Sequence, residues 1–389
     1  MEKNRLRMAF TLIPHHLPNR QGLVLHKKNR MKVAIVYDAI TEFGGAERVL
    51  QALLHAFPNA HLMTLIADPA VIKNHFPMLT QTTLHTHPLL PAMAQTHTSF
   101  LQAAAPLLWK HFDFSSFDLV ISTPAHLMAN LISVPNIHIQ YVHSLPKNCF
   151  GVVRPTPLQR YTHYDSFCVP MYTRALHKTP YILTNSRHMK QTILKYTHAH
   201  ATVIHPPIII PHRLPRRHPN SYYLYVGRID REKHIELGIK ACNDLGVPFI
   251  IVGATNEPQY EQYLRSIAGS TITFLGYQTD KHIHALYQGA RAVLFTSKNE
   301  DFGIAPLEAM AHGVPVISYY GGGARETVIE GKTGRFFYTH SWRSLRRVME
   351  TFQPKQFKPE VLYSHAKLYG ETVFLSHIKE YIGNIQRSG

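Results

Sequence analysis

From Met31 onward the chain repeats one pattern, in which a short, continuously apolar run rich in β-branched residues is followed by a stretch with helical character. Runs that are apolar throughout are typical of strands buried on both faces of a parallel sheet. The intervening helices would then cover the two faces of that sheet. The first runs are KVAIVYD, AHLMTLIA, FDLVIST, IHIQYVH, PYILTNS and ATVIHPP. The pattern predicts an α/β protein.

A proline-rich break interrupts this repetition. Residues 205–221 (HPPIIIPHRLPRRHPNS) contain five prolines and a basic cluster, which would interrupt any helix or strand. The pattern then restarts with YYLYVGR, PFIIVGA, TITFLGY, ARAVLFTS and GVPVISYY. We expect a first domain at 31–205, a linker at 206–221, a second domain at 222–365 and, at 366–389, an amphipathic helix that packs back across the junction. Two Rossmann-like, doubly wound parallel sheets would then face a cleft, where open α/β folds bind ligands.

The length and composition suit two domains, because 389 residues with 45% apolar content can bury a large core. No segment approaches the roughly 18 uninterrupted apolar residues of a membrane-spanning helix. Residues 1–30 are basic, contain prolines and lack the apolar run of a secretory signal. We expect them to be a disordered extension, either upstream of a second start at Met31 or a flexible basic tail. A cytoplasmic location is predicted.

The three cysteines, Cys149, Cys168 and Cys242, are odd in number and far apart in the sequence. This spacing suggests neither a disulfide framework nor a thiolate metal site, so all three are predicted to be reduced core residues. The histidine pairs at 198–200 and 282–284 lack further ligands at metal spacing. No metal site is predicted.

The formal net charge of +17 is concentrated in one part of the chain. Residues 143–217 contain eleven Lys or Arg and a single acid, Asp165. Such a surface attracts phosphate, anionic lipid or nucleic acid, although a solvated basic face with no partner is the alternative. Helix-turn-helix, zinc-finger and aromatic RNA-binding signatures are absent, so nucleic acid is not an expected partner. The block favours peripheral contact with an anionic membrane surface.

Two acids, Glu300 and Glu308, are separated by seven residues in SKNEDFGIAPLEAMAHGVPVIS. Pro306 would occupy the first position of a short helix that ends before Gly313, which puts Glu308 in its first turn. A carboxylate there could simply complement the helix dipole, and Glu300 alone could be a surface residue at a strand end. Together they would suit sugar hydroxyls on either side of a diphosphate, because carboxylates accept hydrogen bonds from hydroxyls.

The loop between these acids is predicted to bind phosphate. Gly303 permits close approach of the backbone, so the amides of Phe302, Gly303 and Ile304 could face an anion at the helix start. Arg228 is predicted to close the first strand of the second domain, and Lys233 to open the helix that follows it. The two cations could converge on one diphosphate at the same sheet edge. The alternative is that these two cations pair with neighbouring acids on the surface.

These motifs resemble the retaining glycosyltransferases of family 4, a group 1 family that includes mannosyltransferases and has the GT-B fold of two Rossmann-like domains. The resemblance covers nearly all of the chain from Met31 to its end. It is carried by VYDAITEFGGAERVL (36–50), IQYVHSLP (139–146), ILTNSRHMKQTI (182–193), ATVIHPP (201–207), LYVGRIDREKHIELGIKA (224–241), ITFLGYQTDKHIHALYQGARAVLFTS (272–297) and EDFGIAPLEAMAHGVPVIS (300–318).

The resemblance implies a donor site in the second domain. Arg228 and Lys233 would neutralise the donor diphosphate, Glu308 would bind the ribose hydroxyls of the nucleotide, and Glu300 would contact the transferred sugar. No Asp-x-Asp sequence occurs in the chain, so the metal-binding motif of the other large glycosyltransferase fold is absent and catalysis is predicted to be metal-independent.

The resemblance also implies roles for residues around the cleft. Gly276 and Tyr277 would border the base, Gly44 and Gly45 would face the phosphates or the acceptor, and His143 would contact the sugar. The segments HSLPKNCFG and YDA depart from the common family pattern. Both departures are on the acceptor side, so the donor side matches better.

The predicted function is transfer of a hexose from a nucleotide sugar, with GDP-mannose as the first choice and a UDP-hexose as the other donor, and with retention of configuration. The expected acceptor is a lipid-linked or polysaccharide glycan at the inner membrane surface, and no cofactor is expected. Two alternatives remain: a GT-B hydrolase or epimerase of nucleotide sugars, and a non-catalytic basic binding protein on a degenerate transferase fold. A nucleotide-sugar turnover assay separates all three.

Overall fold

The computed structural model describes residues 31–79, 83–88, 90, 104–124, 128–146, 149–150, 164–218 and 222–388. The predicted extension at 1–30 and residues 151–163 of the basic block lie outside the described residues. Two separate parallel sheets organise the described chain.

The first sheet has seven strands in the order β3-β2-β1-β4-β5-β6-β7. Every pairing in it is parallel. The strands are β1 Val33–Ile40, β2 His61–Ala67, β3 Leu84–Thr86, β4 Leu119–Thr123, β5 Ile137–Val142, β6 Tyr181–Thr184 and β7 Thr202–Val203. β3, at the edge, was not predicted from the sequence, because LHT has no apolar run.

Four α-helices of the first domain have described bounds: α1 Gly45–Ala56, α2 Pro69–His75, α3 Tyr164–Leu176 and α4 Arg187–Thr197. Short polar side chains start two of them. The Asp68 carboxylate accepts hydrogen bonds from the first-turn amides of α2, and the Ser186 hydroxyl accepts one from the Met189 amide in α4. Such caps satisfy amides that have no partner within the helix and fix where the helix begins.

The second sheet has six parallel strands in the order β10-β9-β8-β11-β12-β13. They are β8 Tyr223–Val226, β9 Phe249–Val252, β10 Ile272–Gly276, β11 Ala292–Phe295, β12 Val316–Tyr319 and β13 Gly334–Phe337. The helices are α5 Ile235–Leu245, α6 Pro258–Ser266, α7 Asp280–Gly289, α8 Ile304–Ala311, α9 Ala324–Thr327 and α10 Trp342–Thr351. Two parallel α/β sheets with this order confirm the predicted fold class.

In each sheet the strand order reverses beside the first strand of that sheet. The chain moves outward from β1 to β2 and β3, and then returns to place β4 on the other side of β1. The second sheet does the same between β8 and β11. Crevices at the carboxyl ends of strands beside such a reversal are the usual ligand sites of open α/β sheets. The loops that follow β1, β8 and β11 therefore carry the candidate site.

The C-terminal segment forms two helices, α11 Pro359–Lys367 and α12 Glu371–Ser388. They are separated at Gly370, which bridges to Ile208 near the start of the second domain. The apolar face of α12, including Phe374 and Ile378, joins the buried core around β1. No helix among the described residues combines the length and apolarity required to cross a bilayer.

The prediction of three reduced cysteines is wrong for two of them. Cys149 and Cys168 form a disulfide with a Cα–Cα distance of 6.1 Å, and Cys242 is free and buried. The chain leaves β5 through the turn at Cys149 and returns in α3, so residues 19 apart in sequence become neighbours. Spacing along the sequence does not reveal such a return of the chain.

Candidate active site

An ion pair at the carboxyl end of the second sheet joins two of the predicted site residues. The Lys233 ammonium lies 2.7 Å from the Glu300 carboxylate, and their side chains are only 17% and 22% exposed. Lys233 follows β8, whereas Glu300 follows β11, the adjacent strand. The Thr296 hydroxyl at the end of β11 donates to the Lys233 carbonyl at 2.7 Å. The two loops are therefore tied together by both backbone and side-chain contacts.

The local structure around Lys233 differs from the prediction. Lys233 does not open the helix, because it is the last residue of a 3-10 turn, Arg231–Lys233, and α5 begins at Ile235. His234 stands between them with φ of 51°, a left-handed conformation that side chains rarely adopt. This conformation reverses the chain direction before α5 starts.

The predicted start of the helix containing Glu308 is also wrong. α8 begins at Ile304, two residues before Pro306, so Glu308 is the fifth residue of the helix and not in its first turn. Gly303 precedes the helix with φ of 92°, where glycine carries no steric penalty, and this allows the earlier start. The dipole explanation for Glu308 loses weight, because that effect falls off beyond the first turn.

Glu308 instead pairs with Arg48, a residue of α1 in the first domain, through a direct contact between the carboxylate and the guanidinium. The charge of Glu308 raises the pKa of the Arg48 guanidinium. No role for Arg48 was predicted from the GGAER segment that contains it. The one sequence feature that could have indicated a role is that Arg48 is the only Lys or Arg between residues 36 and 50.

The starts of α1 and α8 meet directly across the cleft. A Cβ atom built on Gly45 would lie 2.6 Å from Cδ1 of Ile304, so no larger residue fits at position 45 while Ile304 keeps this position. The Gly44 amide donates to the Glu47 carboxylate at 2.9 Å, and the Tyr37 hydroxyl donates to the same carboxylate at 2.5 Å. Burial raises the pKa of Glu47. This buried network fixes the loop between β1 and α1.

Arg228 is the most exposed of the predicted site cations, with 62% of its side chain accessible. Its guanidinium lies 3.6 Å from Glu42 in the first domain and 3.8 Å from Asp230. Exposed pairs at such distances contribute little to stability. Arg228 is therefore available to an anionic ligand at small cost, unlike Lys233, which must leave Glu300.

His143 follows β5, and its ring nitrogen Nε2 is buried and has no hydrogen-bond partner among the described residues. Burial lowers the pKa of His143 to about 4, so the ring is neutral at pH 7. The Asn185 amide donates to the His143 carbonyl at 2.7 Å and fixes the backbone there. A buried, unpaired ring nitrogen is costly in the free protein and suited to a ligand hydroxyl.

The remaining predicted residues occupy different positions. Phe302 is buried, and its ring lies 5.3 Å from that of His205 at the domain junction. Gly276 ends the edge strand β10 with φ of 64°, and the neighbouring Tyr277 side chain is 76% exposed. Tyr277 thus presents a free aromatic face at the outer end of the sheet, away from the central strands.

A turn of three glycines packs against the Glu300 loop. Its contact with the site was not predicted from the sequence. The Gly323 amide donates to the Glu300 carbonyl at 2.7 Å. A Cβ atom on Gly322 would lie 2.3 Å from that carbonyl oxygen, and one on Gly323 would lie 2.4 Å from the Phe302 Cα. Only glycine allows this packing, which holds Glu300 in place. The sequence feature that could have indicated this tight packing is the run of three glycines at 321–323.

Two parallel-sheet α/β domains that face each other, with the candidate residues at the carboxyl ends of both sheets, define the GT-B class of glycosyltransferase folds. A solved structure supports this: HepE from Anabaena, described in complex with UDP and glucose, matches with a TM-score of 0.69 and 18% identity over 91% of this chain and 100% of that chain.

Residues 209–367 match the family model described as glycosyl transferases group 1. This match confirms the predicted resemblance to group 1 glycosyltransferases for that segment. The human alpha-1,3/1,6-mannosyltransferase ALG2 is 28% identical over 187 residues, which are 39% of this chain and 45% of that protein. The serotype-specific mannosyltransferase WbdA of Escherichia coli is 28% identical over 162 residues, 39% of this chain and 19% of that protein. The chain thus spans less than half the length of these curated relatives.

Proposed function

We propose that this protein transfers a hexose from a nucleotide sugar to a lipid-linked or polysaccharide acceptor in cell-surface glycan biosynthesis. The observation that carries the proposal is the Lys233–Glu300 pair at the carboxyl end of the second sheet, which places a cation suited to a diphosphate 2.7 Å from a carboxylate suited to sugar hydroxyls. A nucleotide sugar has these two kinds of group next to each other, because its diphosphate is bonded directly to the sugar.

In the proposed complex, the donor diphosphate lies between Arg228 and Lys233. Each cation faces a carboxylate in the free protein, so the diphosphate would replace Glu42 beside Arg228 and draw Lys233 from Glu300. Glu300, released from its ion pair, would then accept hydrogen bonds from hydroxyls of the transferred sugar. Glu308 would bind the ribose hydroxyls, and its release from Arg48 would leave a further cation beside the nucleotide.

The reaction requires stabilisation of charge as the anomeric carbon becomes oxocarbenium-like and the diphosphate leaves. Arg228 and Lys233 would stabilise the departing diphosphate without a metal ion. For retention of configuration, the acceptor hydroxyl would attack from the face of the leaving group and pass its proton to a diphosphate oxygen. His143 is neutral because of burial and would bind a sugar hydroxyl rather than supply a charge.

The proposed donor is GDP-mannose, because ALG2 and WbdA are both mannosyltransferases. GDP is expected to raise the thermal unfolding midpoint more than UDP or ADP, since a ligand at 100 times its Kd adds about 2.7 kcal/mol of stability. GDP-mannose should then be consumed in a turnover assay with release of GDP. A larger shift with UDP would overturn the choice of mannose and favour a UDP-hexose, the type of nucleotide described in the HepE structure.

The proposed location is peripheral, on the anionic inner face of a membrane. Arg174 and Lys178, at the end of α3, are exposed members of the basic block and carry two of its positive charges. The affinity for anionic vesicles, measured by sedimentation, is expected to fall by at least about thirtyfold when both are changed to Glu, because each surface cation contributes about 1 kcal/mol and about 1.4 kcal/mol is a factor of ten. Lys332→Glu with Lys355→Glu in the second domain is the control. Binding that ignores lipid charge or salt concentration would contradict this location.

A further inference from the structure

A groove with a volume of about 420 Å³ lies between α4 of the first domain and the Glu300 loop of the second. Neither the Lys233–Glu300 pair nor the Arg48–Glu308 pair lines this groove. Its lining includes Leu145, His188, Lys195, Tyr196, Asp301 and Arg325.

The groove is adjacent to the proposed transfer site, because the same two loops form both. Asn299 and Asp301 line it and flank Glu300, whereas Leu145 lines it two residues after His143. A ligand held in the groove would therefore lie beside the transferred sugar.

Interdomain hydrogen bonds fix the base of the groove. The Ser186 hydroxyl donates to the Asp301 carbonyl at 2.5 Å. The Glu326 carboxylate of the second domain accepts from the amides of Arg187 and His188, at 2.9 Å and 2.7 Å. Glu326 thus caps the start of α4 with both oxygens, so its charge is committed to these amides. The two walls of the groove are held at a set separation.

Two cations of the groove have no ion pair among the described residues. The Lys195 ammonium lies 5.1 Å from the ring centroid of Tyr196, and the Arg325 guanidinium lies 5.8 Å from that of Tyr320. Asp301 is the one carboxylate among the residues that line the groove. The net charge of the lining is positive, which favours an anionic group.

The uncharged part of the lining suits a sugar. Gln191, Thr192 and Asn299 offer amides and a hydroxyl that can both donate and accept hydrogen bonds. The Tyr196 side chain is 39% exposed and offers an aromatic face against which a sugar ring can pack. A neutral sugar could bind to these groups alone, but it would have no negative charge to pair with Lys195 and Arg325.

We propose that this groove binds the acceptor, and that the acceptor is an anionic saccharide whose phosphate or carboxylate pairs with Arg325 and Lys195. This inference rests on the proposed function. It adds the chemical class of the acceptor and a binding site in which the second domain, through Arg325 and Asn299, contributes to acceptor recognition.

The test measures direct binding of small probes to the full chain with the diphosphate site filled by saturating GDP or UDP. Mannose 1-phosphate, methyl glucuronide and methyl mannoside are titrated and followed by ligand-observed NMR. The two anionic probes are expected to bind at least tenfold more tightly than the neutral one. Arg325→Ala should weaken the anionic probes about tenfold, because one charge-assisted bidentate contact is lost. Lys332→Ala, an exposed cation outside the groove, should leave them unchanged.

The outcomes distinguish an acceptor whose negative charge is a phosphate from one whose negative charge is a carboxylate. Tight binding of mannose 1-phosphate alone supports a phosphate-bearing, lipid-linked acceptor, and tight binding of methyl glucuronide alone supports an acidic polysaccharide. Equal binding of all three probes, or anionic binding unaffected by Arg325→Ala, would overturn the proposal. Absence of nucleotide-sugar turnover together with normal probe binding would reject the proposed function while leaving an anionic saccharide site in place.

Discussion

Replacing Lys233 with alanine is expected to lower kcat/KM for transfer by about 100- to 1000-fold, the range seen when one preorganised charge-stabilising donor is removed. The Lys233 ammonium is the better buried of the two predicted diphosphate cations, since its side chain is 17% exposed and that of Arg228 is 62% exposed. Electrostatic stabilisation is greater where water is excluded. Lys233 should therefore contribute more than Arg228 to the departure of the diphosphate.

The measurement combines steady-state kinetics with titration of the free nucleoside diphosphate. Lys233→Ala should weaken nucleotide binding as well as turnover, because the same charge contacts the diphosphate before and during transfer. The matched control is Arg231→Ala, since Arg231 is in the same 3-10 turn and pairs with Glu257 at the surface. If Lys233→Ala and Arg231→Ala lower activity equally, Lys233 only maintains the conformation of the 3-10 turn and does not contact the diphosphate.

Replacing Glu300 with glutamine is expected to lower kcat about 100-fold while the affinity for the free nucleoside diphosphate stays within about twofold. Glutamine keeps the size and one acceptor oxygen but removes the charge that would stabilise an oxocarbenium-like centre. In the proposed complex Glu300 contacts the sugar and not the diphosphate, so its replacement should not weaken binding of the free nucleotide. The split between kcat and nucleotide affinity distinguishes a sugar contact from a general loss of structure.

Glu257→Gln is the control for this change. Glu257 pairs with Arg231 and is 41% exposed, so its charge lies close in the fold but outside the proposed sugar site. Near-normal turnover of Glu300→Gln would reject the sugar-contact role. A large drop in the unfolding midpoint of Glu300→Gln, with nucleotide affinity lost as well, would assign Glu300 to holding the loop instead.

Most of the strands could be predicted from the sequence, because a strand buried on both faces of a parallel sheet is apolar along nearly its whole length. Two strands were not predicted. β3 (LHT) and β13 (GRFF) are edge strands of only three and four residues, so neither forms a long apolar run. The break at Gly370 was missed because the amphipathic pattern continues across it from α11 to α12.

Helix starts around the site were predicted less well, since backbone conformation at single residues decided them. Gly303 in a left-handed conformation moved the start of α8 ahead of Pro306, and His234 in a similar conformation separated Lys233 from α5. Standard start signals describe the commonest backbone geometry, whereas both turns use a rarer one.

The two-sheet architecture, the resemblance to group 1 glycosyl transferases and the choice of Glu300 and Lys233 as candidates could all be predicted from the sequence, because periodicity and motif spacing are local properties of the chain. The pairs of distant residues that come into contact could be identified only in the folded protein. Arg48 and Glu308 are 260 residues apart in sequence and in contact. Cys149 and Cys168 are joined through a return of the chain. The groove beside Glu300 exists only where α4 and the second domain face each other. Such contacts depend on how two separately patterned domains pack, which no local pattern specifies.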